Sequence, residues 1–280
     1  GNPALVFLNL NILGEKGIKT PTDEWNVSQF AEIAAKTTDK GKRIFGTNWR
    51  PGSYHDMCWV SRRFRGDIQD KEGKKCILNT DPKSIEACRW NYDLRAVHKA
   101  APLRDESQGL LFAAGNIALQ TGGSYALKPN ATAIADKFKW DAVLYPTGPD
   151  GFRGYQGFTE MYSVAKTSKY PREAYDLIKL LCSKEVGVWS VFNNDFNPNA
   201  RKSVWGNPEI LKAFPIFDRC LKMMNASEGP FPMPYNLRFV EANDVFANVS
   251  NELFLAEVPF EQGMDRVQKE VQAILDLPLP

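Results

Sequence analysis

Two loops rich in glycine and aromatic residues carry the side chains best suited to contact a ligand. Each follows a short apolar segment, Ile117–Gln120 or Ala142–Leu144, that we predict to be a β-strand. Small residues in the loops let the backbone approach a ligand, and rings supply flat apolar faces. These residues are Gly122, Gly123, Ser124 and Tyr125 in the first loop, and Tyr145, Gly148, Gly151, Gly154, Tyr155, Gly157 and Phe158 in the second. Because α/β proteins place ligands at strand ends, the loops are predicted to line a binding cleft.

Further aromatic, amide and arginine side chains in predicted loops extend this set. Flat faces with a few directional hydrogen bonds suit a sugar, whose C–H faces stack on rings while its hydroxyl groups seek planar polar groups. Each ring alone is typical of core packing, but together they favour carbohydrate binding. The rings are those of Trp49, Tyr54, Tyr125, Tyr155, Phe158 and Tyr235, and the polar side chains are those of Asn48, Gln156, Arg201 and Arg238.

A pair of carboxylates is the main enzymatic alternative. A glycoside hydrolase needs two acids that flank the scissile bond, and Glu160 could pair with Asp56, Asp150 or Glu241. Acidic residues on an α/β surface are mostly solvated or paired with a base. The sequence therefore favours a binding protein over an enzyme.

Motifs for metals, nucleotides and nucleophilic catalysis are missing from the sequence. The two histidines, His55 and His98, are far apart, and no closely spaced cysteine pair accompanies them. The glycine-rich segment GPDGFRGYQG has neither the P-loop spacing nor the dinucleotide-binding spacing. No GxSxG nucleophile motif is present either. We therefore predict neither a metal nor a cofactor.

Length and composition suit one large domain or two lobes. The 280 residues are 43% hydrophobic and 24% charged, with a net charge of +2, which argues against nucleic acid as the main partner. No run of 18 apolar residues is long enough to span a membrane. The five cysteines show no metal-binding spacing, and we predict free, buried thiols at Cys58, Cys76, Cys88, Cys182 and Cys220.

Predicted strands alternate with predicted helices, which indicates an α/β fold. The spacing of Asn26 and Gln29 is that of a capping box at a helix start. Thr47–His55 is predicted to be a loop. The other predicted elements include strands at Ala4–Asn11 and Lys75–Leu78, and helices at Pro82–Ala96, Pro208–Asn225, Leu237–Leu255 and Phe260–Leu275, with one more beginning at Pro171.

Several segments together resemble the family-1, carbohydrate-type group of extracellular solute-binding proteins of ABC importers. They are FLNLNILGEKGIKTPTDEWNVSQFAEIAAKTT, FAAGNIALQTGGSYAL, FKWDAVLYPTGPDG, YSVAKTSKYPREAYDLIKLLCSKE and NPNARKSVW, which follow the family's order along nearly the whole chain. The resemblance implies a two-lobed fold of the periplasmic-binding-protein type II class. It also implies an extracellular or periplasmic lipoprotein, anchored to the membrane through an N-terminal segment, that delivers its solute to a permease.

By the family's layout, residues 1–141 and 201–280 would form the C-terminal lobe, and 142–200 would be a returning segment of the N-terminal lobe. The N-terminal lobe would then be incomplete in this chain. The apolar face of the helix after Pro171, with Leu177, Ile178 and Leu181, would be left uncovered. We therefore expect a companion chain or segment to complete that lobe.

The resemblance also suggests a role for each candidate residue. Tyr125, beside Ser124, would be the ring under the ligand, and Asn48, Trp49 and Tyr54 would face the cleft. Gln156, Gly157 and Phe158 would re-enter the cleft from the N-terminal lobe. Arg201 would contact the ligand or tie down the crossing segment, and Tyr235 and Arg238 would belong to the C-terminal wall.

These expectations combine into one functional hypothesis. The protein would capture a sugar or oligosaccharide in a cleft between lobes by hinge closure, without catalysis. A carbohydrate hydrolase that uses Glu160 and a second carboxylate remains an alternative, as does a binding protein for a cationic or peptide solute.

Overall fold

A mixed β-sheet organises the molecule. The computed structural model describes residues 3–154, 161–193, 200–226 and 236–278. Within these residues four strands pair in the order β2-β3-β1-β4, with β1 at Ala4–Asn9, β2 at Phe45–Thr47, β3 at Ile117–Gly123 and β4 at Trp140–Leu144. Both β3 and β4 run antiparallel to β1, whereas β2 runs parallel to β3.

This topology brings the predicted ligand-binding loops to one side of the sheet. Ala4, at the start of β1, pairs with Gly123 at the end of β3, and the neighbouring Leu5 pairs with Leu144 at the end of β4. The chain after β2 runs toward the same side, because β2 is parallel to β3. We call this side, defined by Ala4, Gly123 and Leu144, the carboxyl edge.

Helices cover both faces of the sheet and continue beyond it. Those in the first half of the chain are α1 (Leu10–Glu15), α2 (Val27–Thr37), α3 (Tyr54–Arg63), α4 (Pro82–Ala96) and α5 (Leu127–Ile134). The second half contains α6 (Pro171–Leu181), α7 (Lys184–Asn193), α8 (Lys202–Trp205), α9 (Pro208–Ala213), α10 (Ile216–Ala226), α11 (Phe239–Phe254) and α12 (Phe260–Leu275). An α/β fold is thus confirmed.

Strand β1 separates two of the hydrophobic cores, because successive side chains of a strand point to opposite faces. Leu5 and Phe7 pack with α5 and with helices from the second half of the chain, whereas Val6 and Leu8 pack with α1 and α2. A third core joins α3, α4, α11 and α12.

The predicted helix starts are confirmed where capping residues mark them. Asn26 and Gln29 form a reciprocal capping box at the start of α2, with bonds of 3.0 and 2.9 Å. Asp81 caps α4, whose first residue is Pro82, and α12 has the predicted bounds. All five cysteines are free, four of them buried and Cys182 partly exposed.

Three of the predicted elements are wrong in extent or type. The first strand ends at Asn9, because the Asn9 side chain accepts hydrogen bonds from the backbone of Asn11 and Ile12 and so begins α1. Lys75–Leu78 is not a strand; instead, amide side chains of α12 bind its backbone, and Gln272 accepts a 2.8 Å bond from Cys76 N–H. The predicted helix Pro208–Asn225 is interrupted at Phe214, between α9 and α10.

The predicted division at residue 142 falls inside the sheet. Val143 and Leu144 of β4 pair with β1, so the chain leaves the sheet only after Leu144. The predicted exposure of the next helix is confirmed for Leu177, which is 55% exposed, whereas Ile178 and Leu181 are partly buried; α6 contains no fully buried residue. Among the described helices, none combines the length and the hydrophobicity that a membrane span requires.

Candidate functional site

Tyr125 presents an accessible ring at the carboxyl edge. It lies in a short 3-10 turn, Ser124–Ala126, that directly follows β3, and it is 47% exposed. Its ring packs on the backbone of Gly123, where an added Cβ would come within 2.5 Å of the ring. Glycine is therefore required at that position for the ring to lie flat. Ser124 is buried instead, and its N–H donates to the carbonyl of Pro3 at 3.2 Å.

Burial and a nearby charge also shift the pKa of the Tyr125 hydroxyl. Burial raises its pKa, and the nearby carboxylate of Asp56 raises it further. The hydroxyl therefore stays protonated at neutral pH and can donate as well as accept a hydrogen bond. An accessible face and a polar tip are what a sugar-stacking residue needs.

The loop after β2 is anchored by hydrogen bonds from a buried arginine. Arg95 of α4 donates to the carbonyls of Pro102 and Trp49, at 2.9 and 3.0 Å, and to that of Asn48 at 3.5 Å. Burial lowers the pKa of Arg95 to about 9, and the nearby charge of Arg50 contributes to the shift. These bonds fix Asn48 and Trp49, whose side chains are both partly exposed, above the end of β2.

Tyr54 does not face a cleft, and its predicted role in ligand contact is wrong. It is fully buried, and its hydroxyl donates to the carbonyl of Ile68 at 3.0 Å. Its ring packs against Phe246, with ring centroids 5.5 Å apart. The physical reason is that Ser53, not a later residue, caps α3, so Tyr54 already belongs to the helix and points to its core side.

The loop after β4 is fixed by two arginines. The Arg63 guanidinium lies 3.5 Å from the ring centre of buried Tyr145, and Arg153 donates to the Tyr145 carbonyl. Burial lowers the pKa of Arg63 to about 10. An added Cβ on Gly148 would come within 1.8 Å of the Arg63 carbonyl oxygen, so this loop and the end of α3 can approach only through glycine.

The two arginines predicted for the site, Arg201 and Arg238, each link two segments of the chain. The Arg201 guanidinium donates to the carbonyl of Cys182 at 2.5 Å and so ties the start of α8 to the end of α6. Arg238 binds the Glu241 carboxylate at 2.7 Å and the carbonyl of Pro278 at 3.0 Å. None of these contacts brings either arginine to Tyr125.

Other candidate residues lie outside the described part of the chain. They are Tyr155, Gln156, Gly157, Phe158, Glu160 and Tyr235. Their predicted roles in the site stay predictions, as does any catalytic pairing of Glu160.

The remaining carboxylates of the hydrolase alternative differ in their partners. Asp150 binds Arg65 at 2.5 Å, and this bond lowers the pKa of Asp150, while Glu241 is paired with Arg238. Asp56 makes no such pair among the described residues, and its carboxylate accepts only a 3.1 Å bond from Gly52 N–H. From the sequence, Asp56 is predicted only as a possible acid of a hydrolase. The Ser53-x-x-Asp56 spacing is typical of a helix start and could have indicated that Asp56 lies in the first turn of a helix capped by Ser53.

Two surface grooves elsewhere offer no exposed ring. One, of about 610 Å³, lies between the Lys16–Thr22 segment and α2, and its single aromatic residue, Trp25, is buried. The other, of about 350 Å³, lies between Lys74–Thr80 and α12. The described residues contain no group of three or more histidine, cysteine, aspartate or glutamate side chains suited to hold a metal ion.

One protein family matches most of the chain. The family model described as "Bacterial extracellular solute-binding protein" matches residues 1–210. The chain belongs to this family. No curated protein matches the sequence of this solute-binding protein.

Solved structures share the fold of this solute-binding protein. Lmo0181 from Listeria monocytogenes, an ABC substrate-binding protein in complex with cycloalternan, is 17% identical, with a TM-score of 0.80 over 99% of this chain and 70% of that one. Maltose-bound MalE3 from T. maritima is 21% identical, with a TM-score of 0.74 over 98% and 71%. UgpB from Mycobacterium tuberculosis, in complex with glycerophosphocholine, is 18% identical, with a TM-score of 0.76 over 98% and 69%. The two-lobed architecture is therefore shared, and this chain spans about 70% of it.

Proposed function

We propose that this solute-binding protein captures a sugar or oligosaccharide for an ABC importer. The observation that carries the proposal is the Tyr125 ring, which is half exposed at the carboxyl edge with its other face on Gly123. Family membership and the fold shared with carbohydrate-bound neighbours support it. The second candidate is a phosphodiester solute, because the structurally similar UgpB is in complex with glycerophosphocholine.

The proposed mechanism is capture by closure of two lobes. A ligand that stacks on Tyr125 and also contacts the opposite lobe binds the closed form more tightly than the open one, so it shifts the equilibrium toward closure. Rigid loops favour such a mechanism, because less conformational freedom is lost on binding. The buried Arg95 and Arg63 hold the loops after β2 and β4 in this way.

The proposal extends to location and partners. The protein acts outside the cytoplasmic membrane, anchored as a lipoprotein, and hands its solute to a permease. It is not an enzyme, a reading supported by the engagement of Asp150 and Glu241 in ion pairs with arginines. An uncharged hydroxyl-rich solute is preferred over a cationic one, because a cation would need two or more carboxylates to converge on it. In the described residues, Asp56 is the carboxylate whose charge acts on the Tyr125 hydroxyl.

A further segment is proposed to cover α6. This helix buries none of its residues, and its exposed apolar side chains include Tyr175 and Leu180. This chain matches 70% of the chain of Lmo0181, so about 30% of that neighbour's chain has no counterpart here. We assign the covering role to a companion segment that completes the N-terminal lobe, with residues 1–144 and 201–280 in the C-terminal lobe.

The proposal is tested by comparing the sugar affinity of the Tyr125→Ala variant with that of the wild-type protein. Isothermal calorimetry with maltose, maltotriose, cycloalternan and mannitol should identify a ligand for the wild-type protein. Loss of the ring should weaken binding of that ligand by about 1–3 kcal/mol, because the stacked apolar area is lost. Tyr175→Ala on α6 is the matched control and should bind like wild type. Absence of binding to the whole panel, together with binding of glycerophosphocholine, would replace the sugar with the second candidate.

A further inference from the structure

Helix α3 turns one face to its hydrophobic core and the opposite face to the carboxyl edge. Tyr54, Met57 and Cys58 pack in the core. At about 100° per residue, the side chains of Asp56, Trp59 and Arg63 lie on the other side of the helix. Arg63 contacts Tyr145, the residue that follows β4, so this second face looks onto the edge where the loops lie.

The path of α3 brings Asp56 to the end of β3. The helix follows the β2 loop, is about 15 Å long, and ends against Tyr145. In the sheet, β3 and β1 lie between β2 and β4. We infer that a helix that starts beyond β2 and ends at Tyr145 runs past the end of β3, where the turn that carries Tyr125 begins. The pKa values of the Tyr125 and Tyr145 hydroxyls are both raised, first by burial and in addition by the charge of Asp56, which agrees with this path.

Asp56 has an acceptor oxygen to offer. Its Oδ2 accepts the 3.1 Å bond from Gly52 N–H, and in the described part of the chain Oδ1 accepts none. A carboxylate oxygen that accepts no bond from the protein can accept one from a hydroxyl group.

We propose that Asp56 is a specificity-determining residue that accepts hydrogen bonds from hydroxyl groups of the sugar stacked on Tyr125. This inference rests on the proposed function and narrows its ligand class. Hydrogen bonds to a carboxylate are stronger than neutral ones, so hydroxyl donors are favoured. The same charge repels an anionic group at this position, so the solute is a neutral polyol and not a sugar acid or a phosphate ester.

The experiment compares Asp56→Asn with wild type for the panel sugar that wild type binds, and for glucuronic acid as an anionic probe. Asp56→Asn should bind the neutral sugar about 10- to 100-fold more weakly, since a charged acceptor is lost, and should bind glucuronic acid no worse than wild type. Asp218→Asn removes a carboxylate from the first turn of α10, where it pairs with Lys222, and should change neither affinity.

Folding is checked by the melting temperature of each variant, and Asp56→Glu gives a second test. It keeps the charge but moves the carboxylate by one methylene group, so it should also weaken sugar binding while it stays folded. Unchanged sugar affinity in both Asp56 variants, with Tyr125→Ala impaired, would overturn this inference and leave the proposed function standing. A wild-type protein that binds no panel sugar would overturn both.

Discussion

The carboxyl edge and α6 differ in how firmly the protein holds their side chains. At the edge, buried Arg95 and Arg63 fix the loops from beneath, and close approach through Gly123 and Gly148 leaves little room for movement. In α6, by contrast, no residue is buried, and Leu177 and Leu180 are more than half exposed. An exposed ring at a rigid edge is typical of a binding surface, whereas a row of exposed leucines on a helix is typical of a surface that another segment covers.

The largest effect expected from this comparison is the loss of an arginine at the edge. Arg95→Ala would leave three backbone carbonyls without their donor, and each stranded buried acceptor costs about 1–3 kcal/mol. We expect the free energy of unfolding in urea to fall by about 3 kcal/mol or more. Arg172→Ala, at an exposed arginine of α6, is the matched control and should stay within about 0.5 kcal/mol of wild type. Equal losses in the two variants would remove the contrast between the regions.

A smaller effect is expected at the start of a helix next to the edge. Asn26 caps α2, and the next residue, Val27, donates its N–H to Thr147 in the loop after β4 at 2.9 Å. Asn26→Ala should lower the free energy of unfolding by about 1 kcal/mol, because the cap is lost. Tyr170, at the N-cap position of α6, makes no capping bond through its side chain, so Tyr170→Ala should change little. Thermal denaturation of both variants measures these changes in stability. A larger loss of stability in Tyr170→Ala than in Asn26→Ala would contradict the expected difference between the two helix starts.

Local sequence signals predicted much of the scaffold. The box formed by Asn26 and Gln29, and Pro82 after Asp81, specify helix starts through short-range chemistry that tertiary structure did not override. The apolar runs that became β3 and β4 were equally clear. The sequence placed Tyr125 beyond a strand end, but β3 extends to Gly123, so the prediction that Gly122 and Gly123 belong to the loop is wrong: both pair with β1. Exposure of α6 was predicted from its apolar face together with the family layout.

Other features depend on the orientation of a helix or on distant partners. Tyr54 differs from a loop residue only because Ser53 caps α3, so Tyr54 is the first residue of the helix and points to the core. The same orientation turns Asp56 outward, which the sequence alone could not show. Arg95 is buried beside Leu94 in a helix whose apolar pattern is weak, so no periodicity marks it as the anchor of the β2 loop.

The smallest effect on stability is expected on α6, and it separates the two regions most directly. Leu177 and Leu180 are 55% and 58% exposed, so changing both to serine removes little buried apolar area. The free energy of unfolding of this chain should change by less than about 0.5 kcal/mol. Self-association, measured by sedimentation velocity, should decrease, because exposed apolar patches drive association. Val97→Ser changes an exposed valine just beyond the end of α4 and should leave association unchanged. A marked loss of stability in the double variant would mean that α6 is already packed, and the proposal of a covering segment would fail with it.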